Sequence, residues 1–473
     1  MTPPPGLAQD TVGQDLSPSQ DPESAARDPH VRAAMRRVAS LPVTFLLTLY
    51  LLGTGRWGSY LGIPGAPFYI SDILVALATL QMMMAVRAGR ASPGALTRAP
   101  LALLLLLSLL IYSGLRLALG FEFPLVSLRD FAPYGYAAVA LVAYLLPVRE
   151  EARWRPIMYA TFVAHLLWVA ALPIFPGFPW QLPVLGSDAT LLVARPDFDT
   201  TVLGLGAAFA IRDLLRQRGS RRWAETAALV TFAAASAFTM VDMATRAGLL
   251  AGLLAIGAVV LTCMIPKSAR GESRNRRHRA RLRPVQVVAL LLGCSVAVAA
   301  LAFTTTGSRL ISGITDTSSG AYGTVAARQT VWDRVGDYVL RDAGRTAVGV
   351  GFGRNFIAES GSQVALEGTT YLNVRSPHNY VLGTLARLGV AGALIVSMVI
   401  GLGWWLGMSR LRKDVGPVGT LAALLALSLP VIALLGVVLE SPFGAIPYFW
   451  ALGHLAALDI SSPLEAHRKR ASE

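Results

Sequence analysis

Lysine is nearly absent from this chain, with Lys267, Lys413 and Lys469 standing against 39 arginines. Cysteine is limited to Cys263 and Cys294, both inside apolar runs, which argues against a disulfide framework or a thiolate metal site and makes them small buried side chains. Charge of either sign is scarce. Charged residues make up 15% of the chain against 54% hydrophobic, and apolar runs recur near the ~20 residues that cross a bilayer. A soluble globular fold is therefore excluded, and the chain reads as an all-α polytopic membrane protein. No apolar core with a small-residue cleavage site precedes the first run, so no cleavable signal is expected. Internal repeats and paired broken spans, the marks of many transporters, are also missing.

What is present divides the chain in order. Residues 1–40 are rich in Pro, Ser, Gln, Asp and Arg and read as a disordered cytoplasmic tail. Apolar runs follow near 41–55, 68–86, 99–119, 126–147, 157–175, 198–213, 223–243, 247–265, 285–304, 379–409, 418–439 and 445–460, which predicts about twelve transmembrane helices. Nine lie in 41–305 and three in 378–460. Between them runs a loop, 306–377, far longer than an ordinary connection and so expected to be a functional subdomain. Residues 461–473 form a second tail.

The basic residues orient the spans. With the N-terminus in the cytoplasm, 29 of the 42 Lys and Arg fall on the inner segments, so both termini are inside and the long loop faces outward from the cytoplasmic membrane. The run 270–283, RGESRNRRHRARLR, has the composition of a nucleic-acid patch. In a short inner loop it reads instead as an anchor to lipid headgroups, and no nucleic-acid partner is expected. The thirteen remaining basic residues are all arginine, the side chain that grips phosphate bidentately.

The chemistry concentrates at 376–392, SPHNYVLGTLARLGVAG. Ser376 as N-cap and Pro377 at the first helical position predict a helix with His378 in its first turn, where the positive dipole end favours neutral imidazole. Leu382, Leu385 and Gly389 would line one stripe of that helix, while Gly389 and Gly392 permit a close approach or a bend. Upstream, residues 321–343 read as a helix with Val325, Trp332, Val335 and Val339 on its apolar face and Gly344 as its stop. Arg328 and Trp332 are four apart on it, spaced for the ring to pack on the guanidinium. Arg246 sits in a very short outer connection, with Asp242 four residues earlier as a partner.

These residues resemble a known family. His378 and Asn379, nine residues, then Gly389, two residues and Gly392 are similar to the signature of the O-antigen ligase and O-antigen polymerase superfamily of membrane glycosyltransferases. Thr245-Arg246-Ala247-Gly248 resembles a further element of that family. So does the Arg-x-x-x-Trp helix followed by a GVGFG turn at Gly349, Gly351 and Gly353. The resemblance implies a C-type membrane glycosyltransferase architecture and a donor glycan carried on polyprenyl (undecaprenyl) diphosphate. It also implies transfer to a glycan, lipid or protein acceptor during surface polysaccharide assembly.

Chemistry supports that implication. Nucleotide sugars are scarce outside the membrane, so an outward-facing transferase needs a lipid-linked donor. Diphosphate leaves readily once its charge is neutralised, which requires cations and a base for the acceptor hydroxyl but no strong acid. Arg246 and Arg328 are the expected diphosphate ligands and His378 the base, with Asn379, Trp332, Gly389, Gly392, Arg129 and Glu440 in support. Arg129 and Asp130 either orient the lipid phosphate or form a local ion pair, and Glu440 either orients His378 or binds acceptor. No His, Asp and Glu cluster with metal-ligand spacing marks the outer region, so metal-independent, inverting transfer without cofactor is expected. His165 and His454 read as packed, hydrogen-bonded residues, and Tyr448, Phe449 and Trp450 as an interfacial aromatic belt. The rival reading, a transporter or flippase of a lipid-linked or anionic substrate, rests on Arg116 and Glu225 within spans.

Overall fold

The computed structural model describes residues 70–88, 100–120, 124–148, 154–171, 183–184, 187–190, 195–216, 223–243, 245–264, 320–362, 375–413 and 415–472. The expected spans at 41–55 and 285–304 lie outside them, as do Cys294 and the whole basic run 270–283. The described chain is helical except for a short antiparallel pair, Pro183–Val184 with Ser187–Thr190, in the connection between two helices. That pair is the one departure from an all-helical chain.

In order, the helices are α1 (Ile70–Arg87), α2 (Pro100–Leu119), α3 (Pro124–Gly135), α4 (Ala137–Leu145), α5 (Trp154–Ala171), α6 (Pro196–Arg216), α7 (Trp223–Asp242) and α8 (Arg246–Met264). The segment 320–362 holds α9 (Gly320–Leu340), α10 (Ala343–Val348) and α11 (Phe356–Glu359). Then come α12 (Tyr380–Arg412), α13 (Pro417–Leu435), a 3-10 turn (Val438–Glu440) and α14 (Pro442–Ser472). Among the described residues five helices are long and apolar enough to cross a membrane: α2, α7, α8, α12 and α13. Two expected boundaries differ. The run 126–147 divides into α3 and α4 around Tyr136, and the run 445–460 continues through the expected tail as one helix to Ser472.

Burial follows composition rather than depth. α13 carries apolar or small residues on every face and is enclosed on nearly all of them. α2 and α7 instead leave Leu104, Ile111, Leu115 and Phe238 exposed, the pattern of helices that meet lipid. α6 and α8 touch backbone to backbone: a Cβ on Gly204 would lie 2.4 Å from the Gly252 Cα, so both positions need glycine. Tyr448, Phe449 and Trp450, expected as an interfacial belt, are among the most buried side chains, and the Tyr448 hydroxyl donates to the Val399 carbonyl at 3.2 Å. Their face of α14 packs inward. His165 is buried 3.3 Å from the Asp199 carbonyl, and the His454 ring stacks on Trp450 at 5.3 Å, both as packed histidines.

The segment 320–362 forms its own small core against α12. Val331, Val335 and Val339 of α9 pack with Phe356 and Ile357 of α11 against Ala386 of α12. α9 stops at Leu340, before Gly344, because Asp342 starts a new helix there: its Oδ1 accepts from the Arg345 amide at 2.7 Å. α12 is not one straight helix. Gly389 takes φ 66° and ψ −168°, which breaks the ladder and frees carbonyls on the preceding turn. Those carbonyls are taken up at once. Val350 and Gly351 amides donate to Ala386 and Arg387 oxygens at 2.8 and 2.9 Å, and the Tyr112 hydroxyl donates to Leu388 at 2.8 Å. The GVGFG turn is therefore a cap for the broken helix. Arg116 donates to the Gly349 carbonyl at 3.1 Å, so this arginine holds the cap rather than lining a path through the membrane.

Gly389→Ala is expected to be costly, since its Cβ would lie 2.3 Å from the Ala347 carbonyl at a left-handed φ, a combination worth about 1–3 kcal/mol or more. Gly401→Ala, in open space on the same helix, should be tolerated. Thermal unfolding of the purified variants in detergent checks this: the Gly389 variant should melt several degrees lower, and equal melting points would contradict the break.

Candidate active site

His378 lies just before α12, not in its first turn. Asn379 is the N-cap: its side chain accepts from the Leu382 amide at 3.0 Å, and the helix begins at Tyr380. Ser376, expected as the cap, folds a tighter turn upstream. Its Oγ accepts from the His378 amide at 3.1 Å and donates to Glu440 Oε1 at 2.7 Å. Consequently His378 takes φ 55°, the one non-glycine residue in the left-handed region among those described. That conformation costs of order 1 kcal/mol and persists where the surroundings enforce it.

The enforcing contacts come from several segments. The Trp332 indole donates to the Pro377 carbonyl at 2.6 Å, so α9 grips the loop one residue before the histidine. Arg328, one turn earlier, donates to the Leu435 carbonyl at the end of α13 at 3.0 Å. The expected stacking of Trp332 on Arg328 is thus replaced by two separate anchors on the loop and on α13. Gly383 lets Pro377 and Glu440 approach α12, at 3.5 and 3.4 Å from its would-be Cβ.

Charge explains the state of the imidazole. Burial, then the guanidinium charges of Arg328 and Arg195, lowers the His378 pKa from 6.5 to about 4, so the ring is neutral at pH 7. The neutral form was expected from the helix dipole; the structure supplies it through burial and two arginines instead. Arg195 was missed in the sequence. It stacks 4.0 Å over Phe443, and the following residues Pro196, Asp197 and Asp199 open α6 beside it. Its signal was present, an outward arginine directly before a Pro-led, acid-rich helix start. Asp197 lies in the field of both Arg328 and Arg195 and accepts from Thr245.

Arg246 begins α8 next to this group. Thr245 fixes the start by donating to Thr200 Oγ1 at 2.9 Å, and Gly248 is needed because a Cβ would lie 2.6 Å from the Asp197 carbonyl. The expected Asp242 partner is exposed at the end of α7. Among the described residues Arg246 makes no hydrogen bond or ion pair, and its charge is not one of those acting on His378. The pair that shares the histidine's field is Arg328 with Arg195.

A second charged group sits on the Ser376 side. Asp130 of α3 is buried and accepts from Arg387 at 2.5 Å, Arg375 at 3.1 Å and the Gly353 amide at 3.2 Å. Arg375 also donates to the Gly353 carbonyl at 2.9 Å. The expected pairing of Asp130 with Arg129 does not form, because Arg129 points to an exposed position while two other guanidiniums take the carboxylate. Glu440 lines the same region. Burial raises its carboxyl above the usual range, against the lowering effects of the Ser376 hydrogen bond and Arg387. It is linked to His378 through Ser376, whose hydroxyl donates to Glu440 and accepts from the His378 amide.

Residues 230–397 match the family described as O-antigen ligase, so the resemblance carried by His378, Asn379, Gly389 and Gly392 holds. The match also takes in Arg246, Arg328 and Trp332, and leaves Arg129, Asp130, Arg195 and Glu440 outside it. No curated protein matches the chain. The matched stretch is thus similar to O-antigen ligases, and five of the described helices are long and apolar enough to cross a membrane.

With a folded-state pKa near 4, His378 stays neutral down to about pH 5. The folded free protein binds fewer protons here than the unfolded chain between about pH 4 and 6.5, so the stability this residue contributes declines as pH falls through that window, while the ring itself protonates only near pH 4. The kcat/KM for glycan transfer should stay flat from pH 8 to about 6 and drop only towards pH 4–5. A half-point at 6.5 would show that burial and the two arginines do not act on the ring.

Proposed function

We propose that this chain transfers a glycan from a polyprenyl diphosphate lipid to an acceptor hydroxyl on the outer face of the cytoplasmic membrane. His378 is the base in this reading. The observation that carries it is a neutral imidazole held in a strained loop, with Arg328 and Arg195 beside it. A neutral imidazole accepts a proton from a hydroxyl, and two fixed guanidiniums stabilise charge as it develops on a leaving diphosphate.

The steps balance simply. The acceptor oxygen attacks the anomeric carbon, its proton passes to His378, and the bond to the diphosphate oxygen breaks with the electron pair leaving on the lipid diphosphate. Direct displacement inverts the anomeric centre. Arg328 and Arg246 grip the diphosphate bidentately, Arg195 adds charge between them, and diphosphate itself needs no strong acid to leave. A diphosphate that offsets the two guanidiniums also raises the basicity of His378, so donor binding prepares the base. Trp332 and Asn379 hold the loop, and Gly389 keeps α12 bent beneath it. The acceptor is a surface glycan, with polymerisation or transfer onto another glycan favoured over transfer to lipid A core. The arginine and alanine bias that motivates this choice is a mark of high-GC genomes, which include lineages without lipid A.

His378→Ala should reduce transfer by roughly 10²- to 10⁴-fold while the protein still folds, since the base is lost. Near-parental turnover would remove His378 from the chemistry. Arg246→Lys and Arg328→Lys should each stay impaired, because lysine keeps charge but loses the fork; full activity in both would reduce these residues to anchors. A chelator should leave the rate unchanged, and loss restored by a divalent ion would point to a missed metal site.

A further inference from the structure

A cavity of about 220 Å³ opens on the Ser376 side of the reactive loop, lined by Arg129, Arg375, Arg387, Glu440, Ser441 and Tyr134 among others. It is smaller than the ~300–1,000 Å³ of ordinary small-molecule pockets, so it suits one sugar unit rather than a chain. Its charge is unbalanced. Asp130 serves both Arg375 and Arg387, burial favours the protonated form of Glu440, and Arg129 has no hydrogen bond or ion pair among the described residues. The Nε of Arg375 is buried without a partner. Two enclosed guanidiniums, Arg375 and Arg387, share one carboxylate, and the exposed Arg129 adds a third cation at the edge, a charge set that attracts an anion.

Stereochemistry decides which substrate enters. In a direct displacement the nucleophile approaches the anomeric carbon opposite the leaving group. The charges acting on His378 are Arg328 and Arg195, whereas those acting on Glu440 are Arg387 and Asp130, and Ser376 bridges the two groups. The diphosphate belongs with the first group. The cavity is lined by the second group and by neither Arg328 nor Arg195.

We infer that this cavity is the acceptor subsite, that it takes a sugar unit bearing an anionic substituent, either a carboxylate or a phosphate, and that Arg129 at its mouth selects for that charge. This rests on the transfer reaction proposed above. Ser376, Ser441 and Glu440 offer hydrogen bonds to ring hydroxyls, and Arg129 and Arg375 face the acidic group. The attacking hydroxyl then reaches His378 over the Ser376 turn.

The test uses the full-length protein in detergent, a labelled polyprenyl-diphosphate glycan, and acceptor glycan extracted from cells that lack this chain. The acceptor is supplied native, carboxyl-reduced or phosphatase-treated. Arg129→Ala should raise the acceptor KM roughly tenfold, the loss of one charge-assisted contact, with kcat and donor KM unchanged. Arg129→Lys should restore most of it. Whichever treatment makes the parent behave like Arg129→Ala names the anion. Ser441→Leu, which fills the cavity, should cut transfer at ordinary acceptor concentrations while donor binding persists. Equal acceptor KM in parent and Arg129→Ala, or a change confined to donor KM, overturns the assignment. The underlying reaction fails separately, if His378→Ala transfers normally.

Discussion

The Asp130 carboxylate is the contact on which the site depends. It joins α3 to the 353 turn through the Gly353 amide, to the loop before His378 through Arg375, and to α12 through Arg387. Asp130 and Arg387 are almost wholly enclosed, with side chains 6% and 9% exposed. A buried pair of this kind adds little net stability, because desolvation offsets the attraction, yet removing one partner leaves a buried charge and costs about 3–5 kcal/mol. Its value lies in register. Four segments far apart in sequence cannot shift independently while they share one carboxylate.

The break in α12 works with that clamp. Gly389 and Gly349 face each other so closely that a Cβ on either would meet the other's backbone neighbourhood at 2.3–2.4 Å. The opened turn of α12 therefore becomes a docking edge for the segment 320–362, and the same segment carries Arg328 and Trp332 to the histidine loop. Arg387 contributes twice, through its side chain to Asp130 and through its carbonyl to Gly351. Strain at His378 and at Gly389 is thus sustained by contacts on both sides of the short helical stretch between them. A loop held this way fixes His378 without needing a substrate to order it.

Much of this was legible in the sequence, and the rest was not for definite reasons. Helix positions followed apolar periodicity, and Val335 and Val339 proved to be buried in the outer core as their spacing required. The Gly389 bend was readable because few other causes explain a glycine pair inside a membrane helix. The helix start was misread by three residues, since Ser376, Pro377 and Asn379 all carry cap chemistry and only the Glu440 carboxylate decides that Ser376 turns away from α12. Arg195 and the Asp130 hub were hidden because their partners lie on other helices, and local spacing carries no record of such contacts. The aromatic run at 448–450 looked interfacial by composition, but α14 turns that face towards the core.

The central claim is chemical transfer at the His378 loop, in contrast to passage of substrate across the membrane. It is tested most directly by incubating the purified protein in detergent, where no second compartment exists, with labelled polyprenyl-diphosphate glycan and acceptor, then resolving the labelled products. The account predicts label on the acceptor and release of polyprenyl diphosphate. Intact donor as the sole labelled species in detergent, together with movement of the same donor between leaflets when the protein is placed in liposomes, would contradict it.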